Sequence, residues 1–149
     1  MRKRIFGSMV LNAVAILLAS AVLIMGVLYS YFEKRLETEL KNTTNYIAQG
    51  VLLDGTNYLE SLDSGASRIT WIDSDGTVLY DSDEDASQME NHAQREEIQE
   101  AFLTGHGSSI RYSETLSQKQ VYYAQRLSDG TVLRVSNLQY TVWVLVLQI

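Results

Sequence analysis

A long uncharged run near the N-terminus limits where this protein can reside. Residues Ile5 to Phe32 form 28 consecutive positions without a charged side chain, and Arg2, Lys3 and Arg4 stand directly before them. As an α-helix the run would be about 42 Å long, which exceeds the roughly 30 Å of hydrocarbon in a bilayer. A cleavable signal peptide is the alternative, but its apolar region is only about 7–15 residues long. We therefore predict an uncleaved membrane helix, with residues 1–32 forming a short N-terminal tip and the first transmembrane helix.

The charges around this run predict its orientation. Three basic residues precede it, whereas the segment beyond it begins with Glu33 and is acidic. Because basic residues are retained on the cytoplasmic side, we expect a cytoplasmic N-terminus and an extracytoplasmic domain over residues 33–139.

The last ten residues, 140–149, form a second apolar stretch. The sequence TVWVLVLQI is too short to cross a bilayer as a helix. Taken alone it could be a buried β-strand, but the uncharged residues before it and Trp143 near its start favour the beginning of a second membrane helix. That interpretation predicts further protein in the cytoplasm.

The segment between the two apolar stretches has the size and charge of one acidic domain. It has 107 residues, enough for a single hydrophobic core, and it carries 18 acidic against nine basic residues, a net charge of −9. Nucleic acid is excluded as a partner because phosphate binding requires positive charge. The absence of cysteine excludes disulfides and cysteine-based metal or nucleophile sites.

Helical periodicity continues beyond the membrane run. Leu36, Leu40, Ile47 and Val51 recur at helical spacing, which predicts a stalk helix over residues 33–53 that stops at Asp54-Gly55. This stripe can face the core of its own domain. Its inner part, represented by Leu36, Leu40 and Ile47, can also pair with the same helix of a second subunit, and the two interpretations are compatible because the helix is long enough for both contacts.

A repeated hexapeptide predicts two β-hairpins. SDGTVL occurs at residues 74–79 and 128–133, each time between β-prone runs, and its glycine can adopt a positive φ. Between the copies, Asn91 and Gln94 are typical of a helix start, and Gly105 is typical of a helix end. A further strand then turns at Ser117-Gln118. The predicted fold class is α+β, a five-stranded antiparallel sheet with helices on one face.

The order of these segments resembles a known family. RITWIDSDGTVLYDS, MENHAQREEIQEAF, GHGSSIRYSETL, VYYAQRL and SDGTVLRVS follow one another as in the extracytoplasmic PAS-like (Cache or PDC type) sensor domains of bacterial sensor histidine kinases. The phosphate-regulation type is the nearest likeness. The resemblance implies a homodimeric receptor in the bacterial cytoplasmic membrane that relays a stimulus by displacement of its membrane helices.

The same resemblance implies an output that these residues do not contain. A cytoplasmic histidine kinase part would bind ATP and pass a phosphoryl group to a response regulator, whereas no pattern of a catalytic site occurs in this chain. Two alternatives remain open. The domain could serve a chemoreceptor or a cyclase-type receptor, or it could be a membrane-anchored extracytoplasmic binding protein without cytoplasmic output.

An acidic run is the strongest local charge feature. Asp81, Asp83, Glu84 and Asp85 lie close together, so their repulsion could be relieved by Mg²⁺ or Ca²⁺, by a cationic ligand, or by solvent alone. The preceding Asp-Ser-Asp-Gly does not form an EF-hand, because alignment on its glycine puts Trp71 at the first ligand position. The solvated loop is the simplest interpretation, and no cofactor is required.

The residues predicted to contact a ligand are Tyr80, Arg95, Arg111 and Tyr123. They lie on strands or in the helix-containing segment beside the predicted sheet, where a cleft would form. An arginine in a cleft favours a carboxylate or phosphate, so a small anion is the expected ligand. A membrane protein partner is the alternative stimulus. His92 is assigned to the helix cap, with pH sensing as a minor alternative.

Overall fold

The computed structural model describes residues 2–63, 65, 67–113 and 118–139 of the chain. Its elements are α1 (Arg2–Ser61), β1 (Arg68–Ile72), β2 (Val78–Asp81), a 3₁₀ helix (Ala86–Gln88), α2 (Glu96–Thr104), β3 (His106–Ser113), β4 (Gln118–Arg126) and β5 (Val132–Gln139). The predicted second membrane helix at 140–149 lies outside this description, as does Ser117 of the predicted β3–β4 turn.

The first part of α1 has the properties of a membrane span. The chain divides into two compact units between Leu36 and Glu37, and the division falls within this helix. An 18-residue window of α1 has a mean hydropathy of 2.5 and none of it is buried in the structure. By length and composition, α1 is the one helix among the described residues that could cross a membrane.

The second part of α1 contributes to the domain core. Leu40, Ile47 and Val51 are buried, so the core-facing interpretation of the apolar stripe holds for these positions. Leu36 is half-buried, and its pairing with a second subunit stays a prediction. The helix is interrupted at Gly55, whose φ of 55° and ψ of −129° are not helical, as the sequence predicts. The first helical segment therefore ends at this point, and a second helical segment, which the sequence did not predict, follows it directly and extends to Ser61.

The five strands form one antiparallel sheet, which confirms the predicted α+β fold class. The strand order is β2-β1-β5-β4-β3, so the last strand, β5, lies at the centre between β1 and β4. Thr70 of β1 is the register partner of Arg134 of β5, and Tyr122 of β4 is the partner of Ser136. The central strand therefore places polar residues from three strands side by side.

The helices cover both faces of the sheet, so the prediction of helices on one face is wrong. On one face, Ile72 packs with Ile98 of α2 in a buried cluster. On the other face, Tyr80 donates a hydrogen bond from its hydroxyl to the Leu59 carbonyl of α1, at 3.2 Å. Both faces of the middle strands are buried as a result, and side chains that alternate along β5 enter two different cores.

The two SDGTVL copies form the same turn, which confirms both predicted hairpins. Gly76 and Gly130 each have a φ of 89°, a value that favours glycine. In each copy the aspartate before the glycine accepts the backbone N–H of the following threonine, at 2.8 Å for Asp75 and 3.0 Å for Asp129. The repeat thus specifies local backbone geometry.

Helix α2 begins later than the sequence predicts. Its N-cap residue is Arg95, which makes no side-chain cap hydrogen bond. Asn91, predicted as part of the helix start, instead donates to the Asp75 carbonyl at 2.9 Å and accepts the Ala93 N–H at 2.9 Å. It therefore fastens the loop before α2 to the first hairpin turn. Gly105 ends the helix in the left-handed conformation, as predicted.

Candidate functional site

A fully buried carboxylate lies between α2 and the sheet. Glu97, in the first turn of α2, accepts hydrogen bonds from Ser109 Oγ at 2.7 Å and from Arg111 Nη2 at 2.5 Å through its Oε2 atom. Its Oε1 atom accepts Arg134 Nη1 at 3.3 Å. One helical side chain thus binds residues from β3 and β5, which fixes α2 against the sheet at this point.

Arg134 is the central residue of this network. Its side chain is only 5 % exposed, and its Nη2 donates to Thr70 Oγ1 at 3.0 Å in addition to the contact with Glu97. The ring of Tyr122 lies under both guanidinium groups, with its centroid 4.3 Å from Arg111 Cζ and 5.3 Å from Arg134 Cζ. The Nε atom of Arg134 is buried and has no hydrogen-bond partner among the described residues.

A second ion pair continues the network at the end of β2. The Thr70 hydroxyl donates a hydrogen bond to Asp81 Oδ2 at 2.8 Å, and Arg68 Nε donates one to Asp81 Oδ1 at 2.9 Å. Asp81 Oδ1 also accepts the backbone N–H groups of Asp83 and Glu84, at 3.0 and 3.1 Å. Asp81 therefore stabilises the turn after β2. Its side chain is buried, whereas the sequence predicted a solvated acidic loop.

The predicted metal-binding residues do not converge. Besides Asp81, Asp83 accepts the hydroxyl of Ser82, and Asp85 accepts the backbone N–H of Ser87 at the start of the 3₁₀ helix. Within the described part of the chain, no three histidine, aspartate or glutamate side chains are grouped so that they could hold a metal ion. The geometry gives the Mg²⁺ or Ca²⁺ interpretation no support.

Hydrogen bonds keep both buried carboxylates ionised. Burial raises the pKa of Glu97, but the hydrogen bond from Ser109 and the charges of Arg111 and Arg134 outweigh it, so the pKa is lowered from its ordinary value. The pKa of Asp81 is also lowered, because its hydrogen bonds and Arg68 outweigh burial. Burial lowers the pKa of Arg134 as well, while Glu97 opposes that shift.

A cavity of about 370 Å³ opens beside this network. Its wall is formed by residues of β1, β3, β4 and β5 and of the loop before α2, and four of them are arginines, namely Arg68, Arg95, Arg111 and Arg134. The other lining residues are Met89, Glu90, His92, Gln120 and Tyr122. The volume lies near the lower end of the range for small-molecule sites. The arrangement can therefore hold a small ligand by charge-assisted hydrogen bonds.

His92 lines the cavity with a neutral ring. It is 5 % exposed, and its Nδ1 lies 2.7 Å from the Glu90 carbonyl, which can only accept, so Nδ1 carries the hydrogen. Burial, followed by the charges of Arg134 and Arg95, lowers the pKa of His92 from 6.5. The cap role assigned from sequence is not the observed one, because α2 begins at Glu96.

Two of the four predicted ligand contacts lie at the cavity. Arg95 and Arg111 line it, whereas Tyr80 and Tyr123 do not. The Tyr80 hydroxyl is bound to α1, and Tyr123 alternates with Tyr122 along β4 and is buried at 5 % exposure on the opposite face. Arg134 was missed because an arginine between Leu133 and Val135 has the pattern of a solvent-facing strand residue.

Comparison with known proteins places the domain in a family. No curated protein matches the chain. One similar solved structure is the extracellular domain of a candidate histidine kinase, rpHK1S-Z16, with 20% identity and a TM-score of 0.43 over 58% of this chain and 37% of that one. Another is the Bacillus subtilis YkuI protein, which has an EAL domain and was solved in complex with c-di-GMP and calcium; it is 17% identical, with a TM-score of 0.48 over 75% of this chain and 35% of that one.

This chain thus spans just over a third of the length of either structure. The sequence model of the Single Cache-like family matches residues 30–132, more than two thirds of the chain, and its match includes the described sheet from β1 to β4. The resemblance noted in the sequence is thereby confirmed at the level of the family. This chain belongs to the single Cache-like family of sensor input domains.

Proposed function

We propose that this chain is the extracytoplasmic input region of a membrane-bound sensor histidine kinase, nearest to the phosphate-regulation type. The supporting observation is the order of its parts, because a single Cache-like domain follows a helix that is long and apolar enough to cross a membrane. The three basic residues at the N-terminus favour a cytoplasmic N-terminus and an external domain. In this proposal the receptor is a homodimer, and its cytoplasmic part phosphorylates a response regulator.

The central strand offers a route from the cavity to the stalk. Arg134 of β5 faces the cavity, while its neighbours Leu133 and Val135 are fully buried on the face that packs against α1. A ligand that binds one arrangement of the cavity wall more tightly would favour that arrangement throughout the domain. A shift of β5 would then change the packing of α1 and displace the membrane helices, which is the proposed output.

The orientation can be tested directly because the chain contains no cysteine. A Ser74→Cys variant places a thiol on the exposed first hairpin turn, and a cysteine inserted after Met1 marks the N-terminus. In intact cells, a membrane-impermeant maleimide should label the first variant and not the second, whereas both should react after cell lysis. Labelling of the N-terminal cysteine in intact cells would reverse the proposed orientation.

The kinase assignment is tested by the coding sequence beyond codon 149 and by the encoded protein. We expect an open frame that continues through a membrane helix into a histidine kinase core. The full-length protein in membrane vesicles should then become phosphorylated on histidine when ATP is added. A methylatable coiled coil, a cyclase signature or a stop codon at this point would contradict the assignment.

A further inference from the structure

We propose that the end of the sheet at which β5 leads into residues 140–149 rests on the membrane surface, with Ile110, Tyr112 and Leu138 inserted among the lipid headgroups. The partner is the phospholipid bilayer to which the domain is attached. The inference rests on the proposed membrane attachment and adds a lipid surface to the contacts of the domain.

Three strands reach this end of the sheet together. Tyr112 of β3 is the register partner of Lys119 of β4, and Lys119 is the partner of Gln139, the last residue of β5. The apolar residues 140–149, which are predicted to begin a second membrane helix, follow Gln139 directly. Because a strand advances only about 3.3 Å per residue, entry of this stretch into the bilayer would hold the last row of the sheet within roughly 10 Å of the membrane.

Large apolar side chains are exposed in the three rows nearest this end. Tyr112 in the last row is 61 % exposed, Leu138 in the next row is 40 % exposed and Ile110 in the third row is 48 % exposed. Ile110 and Tyr112 lie on one face of the sheet, whereas Leu138 lies on the other. A partner that covered one face would leave part of this set in water. A flat surface that meets the end of the sheet contacts both faces.

The depth of the three rows matches the thickness of the headgroup layer. Two steps along a strand cover about 7 Å. A bilayer of about 40–45 Å with roughly 30 Å of hydrocarbon leaves about 5–8 Å for headgroups on each side. Tyrosine is enriched in this layer, because its ring is apolar and its hydroxyl can bond to water. The backbone of β3, an edge strand, can also be hydrated there, which hydrocarbon would not allow.

The charge at this end differs from that of the whole domain. The described residues of the three rows, 110–112, 119–121 and 137–139, include Arg111 and Lys119 and no acidic residue. The connecting residues 114–117 contribute Glu114, so two basic residues against one acidic residue give positions 110–121 a net charge of +1. Residues 33–139 together carry −9. An anionic lipid surface therefore repels this end less than it repels the domain as a whole.

The test is site-directed spin labelling of the full chain, which contains no native cysteine, in nanodiscs of phosphatidylcholine and phosphatidylglycerol. Nitroxides are attached to Tyr112→Cys, Ser108→Cys and Ser74→Cys, and all three native residues are exposed. Residues 112 and 108 lie on one face of β3, about 13 Å apart along the strand. Ser74 lies in the β1–β2 turn at the opposite end of the sheet. Power saturation measures collisions of each label with oxygen, which concentrates in lipid, and with a water-soluble nickel chelate.

The label at residue 112 should be shielded from water and still be accessible to oxygen. We expect the nickel chelate to reach it about threefold less often than the label at residue 74, because the headgroup layer excludes the chelate. The label at residue 108 should give a value between the two. Equal nickel accessibility at residues 112 and 74 would overturn the inference. Reduced collisions with both reagents at residue 112 would also overturn it, because they indicate contact with protein instead of lipid.

A charge substitution distinguishes insertion of Tyr112 from mere proximity to the membrane. Tyr112→Asp should release the end of the sheet, so a label at Leu138→Cys on the other face should gain about twofold in nickel accessibility. Leu103→Asp is the matched control, because Leu103 is 86 % exposed at the end of α2, outside the three rows, and its replacement should leave this label unchanged. The melting temperature of each variant shows whether the domain is folded. Unchanged accessibility at residue 138 in folded Tyr112→Asp would refute the insertion.

The result is independent of the orientation and of the kinase assignment. Both sides of a nanodisc are open to the reagents, so contact of a label with lipid does not depend on the side of a cell membrane. A sheet end that stays in water would leave maleimide labelling and histidine phosphorylation to be judged by their own assays. A different cytoplasmic output would leave the spin-label measurement unaffected.

Discussion

Replacement of Glu97 by glutamine is the sharpest test of the buried network. The substitution keeps the shape of the side chain and removes its charge, so Arg134 loses the only carboxylate with which it forms an ion pair in the described structure. The two side chains of that pair are 0 % and 5 % exposed, so water cannot replace the lost partner. Removing one member of such a buried pair raises the free energy of the folded state by about 3–5 kcal/mol.

The lower end of that range is the appropriate estimate here. Arg111, the second partner of Glu97, is 35 % exposed and can be solvated when the carboxylate is lost, so its contribution is small. A loss of about 3 kcal/mol in a domain of this size corresponds to a decrease of at least about 12 °C in melting temperature. Thermal unfolding of the full chain in detergent micelles, followed by tryptophan fluorescence, measures this change.

Glu96→Gln is the matched control for this experiment. Glu96 has the same charge, occupies the same first turn of α2 and is exposed. Its replacement should change the free energy of unfolding by less than about 1 kcal/mol, the usual limit for a charge near a helix terminus. Equal melting temperatures for Glu97→Gln and Glu96→Gln would refute the conclusion that the network fixes α2 to the sheet.

The decrease in the free energy of unfolding at acidic pH provides an independent test of the role of Glu97. Its pKa in the folded state is lowered from the ordinary value of 4.5, so its contribution to stability is complete above about pH 4.5 and is lost as the pH falls through the folded-state pKa. Glu97→Gln should therefore flatten that part of the stability profile, and Glu96→Gln should leave it unchanged.

Two further perturbations test the first turn and the histidine. Gly76→Ala should destabilise the domain more than Gly130→Ala, although both residues have a φ of 89°. A Cβ at residue 76 would clash with the Asn91 side chain, whereas one at residue 130 would meet no atom of the described residues within 4 Å. We expect about 1–2 kcal/mol for Gly130→Ala from the backbone alone and a clearly larger loss for Gly76→Ala, measured by urea unfolding. For His92, whose pKa is lowered from 6.5, the unfolded chain binds a proton before the folded one, so stability should fall as the pH decreases below about 6.5. His92→Gln should remove this fall between pH 7 and 5 in thermal unfolding, and an unchanged slope would exclude His92 as its source.

The elements defined by local geometry could be predicted from the sequence. The SDGTVL turns depend on a glycine and an aspartate within six residues, and the buried stripe of α1 depends on spacing along one helix. These features need no knowledge of the rest of the fold. The break at Gly55 is of the same kind, although the helical turn after it is specified by packing of Leu59 and was missed.

The network could not be predicted because its members are polar residues from distant segments. Arg134 and Glu97 are 37 positions apart, and each has a simpler explanation in its local sequence: a solvent-facing strand residue and a charge that suits a helix N-terminus. One signal was available. Glu97 lies four residues before Ala101, on the face of α2 that also presents Ile98, which places its carboxylate towards the core. Similarly, the sequence analysis placed Tyr123 at the ligand cleft, whereas its neighbour Tyr122 lines the cavity, because adjacent residues of a strand face opposite sides of the sheet.

The positive cavity lies within a domain whose residues 33–139 carry a net charge of −9. An approaching anion is therefore repelled once it comes within about a Debye length of the domain surface, and it is attracted only when it reaches the arginines. The long-range field opposes the encounter, in contrast to sites whose surroundings steer the ligand inward. Added salt should accordingly accelerate association of a small oxyanion, whereas the buried contacts that govern its dissociation are screened much less. The rate at which such a receptor responds would then depend on ionic strength in the opposite direction from that of an electrostatically steered site.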